Sequence, residues 1–179
     1  MGTMINVIAF GEGYDYKKSL PDYWLVEISG IPFGLFGEML EGGGLPFRGM
    51  VYGMTSRLGW TAGYPPAIWK FWDKFGIQDA RMIGYWDPCC PVKTDRDDVL
   101  VTAFLKPGQA FLAVASWATG TARCRLVVDW AKLGIDPRTA KIIMPRVFPY
   151  QRGKKVPKDL SLTIPQLMGC FVLVFGKEI

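Results

Sequence analysis

Apolar and polar positions alternate along residues 121–128. Ala122, Cys124, Leu126 and Val128 share one face of an extended chain, and Arg123 and Arg125 the other. A period of two marks a strand with one buried and one wet face. Elsewhere in the second half the apolar runs are nearly continuous, at residues 99–105, 109–117 and 170–175, and shorter strand-like stretches fall at 139–144 and 161–164. Each is short and bounded by turn residues such as Lys106-Pro107-Gly108 and Ala118-Thr119-Gly120, so each reads as a strand. Residues 129–134 predict a single helical turn. Short strands with turns between them predict an antiparallel β-sandwich over residues 88–179.

The first half patterns differently. Residues 5–10 predict a strand ending at Gly11-Glu12-Gly13, and residues 23–31 a second, followed by Pro32-Phe33-Gly34. Residues 48–57 carry a helical pattern weakened by Gly49 and Gly53. Pro65-Pro66 opens a firmer helix, in which Ile68, Phe71, Trp72 and Phe75 fall at i, i+3, i+4 and i+7 and Gly76 supplies the stop. Two strands and two helices make a poor independent domain, because parallel strands need cover on both faces. Residues 1–87 therefore read as the end of a larger α/β domain. The two strands are expected to lie parallel, with their carboxylates at one end.

Composition sharpens this division. The 179 residues carry a formal charge of +5. Residues 1–87 hold 7 Lys/Arg against 9 Asp/Glu, and residues 88–179 hold 14 against 7. The first part also holds 17 of the 25 aromatic side chains. Basic and aromatic residues thus lie in different parts, which argues against a nucleic-acid partner, whose surface interleaves them. The longest apolar runs fall far short of a membrane-spanning helix. Met1 is followed by no basic segment of the kind that opens a secretory signal. Cys89, Cys90, Cys124 and Cys170 form no C-x-x-C pair; Cys124 and Cys170 sit in apolar runs and read as small buried hydrophobes. The basic stretch 152–158 reads as a solvated hairpin loop.

With no histidine in the chain, Ser-His-Asp and Cys-His chemistry is excluded within it, and carboxylates become the leading candidates. In the strand 23–31, Trp24, Val26 and Ile28 share one face, and Leu25, Glu27 and Ser29 the other. An acid inside an apolar strand must be paired, solvated by a cleft or neutralised. In a (β/α)₈ barrel the polar positions near the C-terminal ends of strands line the active site. Glu27 is therefore the strongest catalytic candidate. Glu12, flanked by small residues just past the first strand, is the second. Two carboxylates at adjacent strand ends are what glycoside hydrolysis needs. Tyr14, Asp15 and Tyr16 follow Glu12 in one loop, Glu38 lies in 34–40 where it either contacts substrate or leads a helix, and Arg48 is placed to orient a hydroxyl or a carboxylate. These are the candidate substrate contacts, aromatic rings suiting sugar faces. No metal site and no cofactor are expected.

The segments 23–34 (YWLVEISGIPFG), 37–40 (GEML), 48–57 (RGMVYGMTSR), 83–86 (IGYW) and 127–134 (VVDWAKLG) resemble those of uncharacterised glycosidases, the glycoside hydrolase domain proteins. The resemblance implies the last βα units of a (β/α)₈ (TIM) barrel in residues 1–87, followed by an antiparallel β-sandwich in residues 88–179. It implies a carbohydrate substrate and no nucleic acid or membrane partner. By family analogy alone it suggests an extracytoplasmic location. A closed barrel takes about 250 residues, so the chain reads as a C-terminal fragment, inactive by itself. The alternative is a β-sandwich that binds carbohydrate, or buttresses a barrel, without cleaving anything.

Overall fold

The computed structural model describes residues 8–10, 35–37, 46–53 and 66–177. Two short strands, β1 (Ile8–Phe10) and β2 (Leu35–Gly37), precede helix α1 (Pro46–Val51). Helix α2 (Pro66–Phe75) leads through a 3₁₀ turn to β3 (Arg81–Ile83) and β4 (Val92–Thr94). β5 (Val99–Lys106), β6 (Gln109–Ser116) and β7 (Ala122–Val128) follow, then α3 (Trp130–Leu133). β8 (Lys141–Met144), β9 (Lys154–Lys155), β10 (Ser161–Ile164) and β11 (Gly169–Phe175) complete the described chain.

One six-stranded sheet runs β3-β5-β6-β11-β8-β9 and faces a three-stranded sheet, β10-β7-β4. Every pairing in both is antiparallel, as the sandwich expectation requires. The buried side chains form two cores, one on each side of the larger sheet. Val99, Val101, Leu112, Val114, Val172 and Val174 pack inward against Leu126, Leu162 and Ile164 of the smaller sheet. On the reverse face, Phe104, Phe111, Ala113, Ala115 and Phe171 pack under α1 and α2. The architecture is thus three layers: helices, large sheet, small sheet.

This layering explains the two patterns in the sequence. β5, β6 and β11 are buried on both faces, so their odd and even positions are both apolar. β7 belongs to the outer sheet and is covered on one side. Ala122, Cys124 and Leu126 are accordingly buried while Arg123 and Arg125 are exposed.

The local signals at helix ends also hold. Ile68, Phe71, Trp72 and Phe75 are the buried stripe of α2. Gly76 ends it in the left-handed region (φ 74°), and its N–H donates to the Trp72 carbonyl at 2.7 Å, the geometry that favours glycine. Asp129 caps α3 by accepting from the Lys132 N–H at 3.1 Å. α1 is shorter than the expected 48–57 helix; it ends at Val51, and the chain turns at Gly53 (φ 86°). Residues 54–57 lie outside the described residues.

Two features extend the sandwich beyond residues 88–179. β3 pairs with β5, placing Arg81 opposite Leu105 and Ile83 opposite Ala103, and α2 covers Phe111 and Phe171. Residues 66–83 are therefore built onto the large sheet. The physical reason is that β5 is too apolar to end the sheet as an open edge and is paired on both sides.

Cys90, Cys124 and Cys170 are buried and Cys89 is exposed. Burial pushes the Cys124 thiol up to about 11 and the Cys170 thiol up to about 12. Both behave as small apolar side chains, as their positions in the strands implied.

Candidate active site at the barrel rim

β1 and β2 run parallel, with Ile8 opposite Leu35, Ala9 opposite Phe36 and Phe10 opposite Gly37. Parallel pairing sets both C-terminal ends at the same side, the side on which α/β barrels build their sites. By chain order Glu12 follows Phe10 by two residues and Glu38 follows Gly37 directly. Residues 35–37, which the sequence left as part of a loop or helix start, are a strand. Three residues are too few to show a period.

Glu12, Tyr14, Asp15, Tyr16, Glu27 and Glu38 lie outside the described residues, as do residues 23–31. Arg48 lies in α1. It is 1% exposed. Its Nε and Nη2 both donate to the Ser116 carbonyl, at 3.2 and 2.7 Å. Its guanidinium lies 4.5 Å from the centre of the Trp117 ring. A guanidinium out of water is tolerated only with such donors satisfied and a π face to lie on. The residues on either side of it complete the attachment. Phe47 packs on Phe171 with ring centroids 4.8 Å apart, and Tyr52 lies edge-on to Trp117 at 5.9 Å and to Tyr85 at 6.3 Å. Buried Thr102 donates to the Val51 carbonyl at 2.5 Å and accepts from the Tyr85 N–H at 3.3 Å.

α1 can approach the sheet this closely because the strands beneath it carry small residues. Ala113, Ala115 and Gly169 lie under it. A Cβ on Gly169 would run into the Val114 carbonyl oxygen and the Phe47 side chain. Arg48 and Ser116 are 68 residues apart, so no local spacing announces the contact. Nothing in the sequence near Ser116 or Thr102 signals either residue as a partner of α1. Among the described residues, no three His, Cys, Asp or Glu side chains gather as metal ligands do.

No curated protein and no solved structure matches the chain. Two family models do. Residues 3–59 match the glycoside hydrolase 123 TIM-barrel domain, and residues 64–175 match the glycoside hydrolase 123 C-terminal domain. The first places β1, β2 and α1 in a barrel segment, and the second spans α2 and every later strand. Residues 3–59 are a small part of the about 250 that close a barrel. With the C-terminal domain model covering more than half of its length, the chain belongs to the glycoside hydrolase 123 family, as the end of its TIM barrel joined to its C-terminal β domain.

Proposed function

We propose that this chain supplies one rim of a glycosidase active site, with Glu12 and Glu27 as its carboxylates. In this reading one protonates the glycosidic oxygen and the other acts on the anomeric side, as base or nucleophile. Tyr14, Asp15, Tyr16 and Glu38 contact the sugar. Arg48 bears on the site through α1, holding the segment that follows β2 against the β domain. The reading rests on one observation above all. β1 and β2 are parallel and in register, so the chain leaves both strands at one rim, with Glu12 and Glu38 next in order; this supports Glu12 at the rim, and Glu27 rests on the alternation of residues 23–31 alone. Residues 3–59 alone match the barrel model, and a closed barrel of about 250 residues is what excludes water and positions a sugar, so these 179 residues taken alone are expected to be inactive.

The test has two parts. The 179-residue chain is incubated with a panel of 4-nitrophenyl glycosides, and turnover would overturn its inactivity. The chain is then joined behind the remaining barrel strands of another member of the family. Glu12→Gln and Glu27→Gln are each expected to lower kcat/KM by about 10²–10⁴, the range of a lost acid or base. A change in KM alone reassigns the residue to sugar binding. Wild-type kinetics in both variants removes the proposal.

A further inference from the structure

Between Asp136 and Asp159 the sequence holds seven Lys or Arg side chains and no acid. The fold concentrates four of them towards the tip of one hairpin. β8 pairs with β9, Met144 opposite Lys154 and Ile143 opposite Lys155. Beyond this pairing the Val147 and Gln151 backbones bond reciprocally at 2.9 and 2.8 Å. Arg146, Arg152, Lys154 and Lys155 are all exposed. None of them belongs to the ion pairs found among the described residues, which join Arg96 to Asp98, Lys132 to Asp129 and Arg138 to Asp136. At the tip stands Phe148, 70% exposed, with the Arg146 guanidinium 6.0 Å from its ring centre.

β9 is an edge strand, and lysines on an edge discourage strand addition from another chain. That accounts for Lys154 and Lys155. It does not account for Arg146, Arg152 or the ring, since an exposed aromatic at an edge makes association easier. Nor is the tip a loose arm. Gln151, 8% exposed, donates to the Pro145 and Phe171 carbonyls at 2.8 and 2.9 Å and accepts from the Phe171 N–H at 2.7 Å. The ring and its cations are thus presented on a fixed support, which lowers the ordering cost of binding.

We propose that this hairpin is a docking surface for a carboxylated polysaccharide, a polyuronate. Charge complementarity selects an anionic polymer. Two guanidiniums suit carboxylates, which they hold, as they hold phosphates, through paired N–H donors. The exposed Phe148 ring selects a sugar, whose C–H face packs on it. A nucleic acid is the poorer fit, because single strands are held by successive rings interleaved with cations.

The test measures binding of the full chain to polygalacturonate, with polyglutamate of equal charge as the polymer that has carboxylates and no sugar. Polygalacturonate is expected to bind at least fivefold tighter than polyglutamate. R146E/R152E should weaken both at least tenfold. F148A should weaken polygalacturonate about fivefold and leave polyglutamate unchanged, a difference in the range of one ring contact. The matched reversal R123E/R125E, on the exposed face of β7, should cost less than twofold. Equal affinity for the two polymers, an equal effect of the β7 reversal, or tighter binding to single-stranded DNA of equal charge overturns the proposal. The readout is binding, so its failure leaves the reading of Glu12 and Glu27 untouched.

Discussion

Gln151 occupies a place where the sheet would otherwise lose its ladder. The β11–β8 register, Leu173 opposite Ile143 and Val174 opposite Ile142, extrapolates to Phe171 opposite Pro145. A proline has no N–H to give the Phe171 carbonyl. The Gln151 carboxamide stands in, donating to that carbonyl and to Pro145 and accepting from the Phe171 N–H. Gln151→Leu keeps the volume and removes all three bonds. At about 1 kcal/mol net for each bond, the loss is about 3 kcal/mol. That corresponds to a change in the unfolding constant of about 100-fold. Urea unfolding followed by tryptophan fluorescence should show a lower midpoint with an unchanged slope, since the surface exposed on unfolding is the same. Hydrogen exchange at the Phe171 amide should accelerate in step. Gln151→Glu separates the donors from the acceptor. At neutral pH its carboxylate still accepts from the Phe171 N–H but faces two carbonyl oxygens, so it should be at least as destabilised as the leucine variant. Burial raises the carboxyl's folded pKa above its unfolded value. The folded state then binds a proton first, and the deficit should shrink as pH falls from 7 towards 4. A leucine variant within about 0.5 kcal/mol of wild type, the usual spread of an inert surface change, would refute this account of the hairpin.

Three other outcomes are expected. Gly169→Ala should destabilise by about 1–3 kcal/mol, the usual cost of overpacking, since the new Cβ meets the Val114 carbonyl and Phe47; chemical denaturation measures it. Arg48→Met removes the donors to the Ser116 carbonyl and the cation over Trp117 and should cost about 3 kcal/mol. Its coupling to Trp117→Leu in a double-mutant cycle should be about 1–2 kcal/mol. Of the four thiols, Cys89 alone is exposed, so a native-state thiol reagent should label one cysteine quickly and the rest only with unfolding. The Cys124 and Cys170 thiols, held up to about 11 and about 12 by burial, are protonated in the folded chain over a range where the unfolded chain ionises them. Their contribution is complete below about pH 9 and is lost as pH rises towards those folded values. The difference in urea midpoint between wild type and C124A/C170A should vary with pH in that window and be flat below it.

How far the sequence carried can be judged from particular elements. β7 was legible because one of its faces is wet, and the alternation of Arg123 and Arg125 with Cys124 and Leu126 records that directly. α2 was legible because it covers a sheet with one face and meets water with the other. β5, β6 and β11 were legible as strands, but nothing in their continuous apolar runs says what lies on each side. The helical cover on one face and the small sheet on the other emerge only from the fold. β9, at two residues, and β2, at three, are too short to carry a pattern. The barrel-plus-sandwich order was legible from segment resemblance and agrees with the two family matches. Of the seven proposed site residues, Arg48 alone falls among those described. Its environment was hidden from local inspection because its partners, Ser116 at the end of β6 and Trp117 just after it, stand more than sixty residues away.

The helix-side face of the large sheet has a further consequence, for inheritance. Phe47 and Met50 on that face come from the segment matched to the barrel model, and Phe71, Trp72 and Phe75 from the segment matched to the C-terminal model. A genetic exchange between residues 59 and 64 would hand a new host a sheet with part of its roof left behind. The buried Ser116 carbonyl would lose its guanidinium, and Phe171 would lose the Phe47 ring while keeping that of Phe71. Such a C-terminal domain is not expected to travel as a cassette. It is expected to pass between lineages together with the barrel helix that it holds, and to vary in step with that helix at Phe47, Arg48 and Gly169.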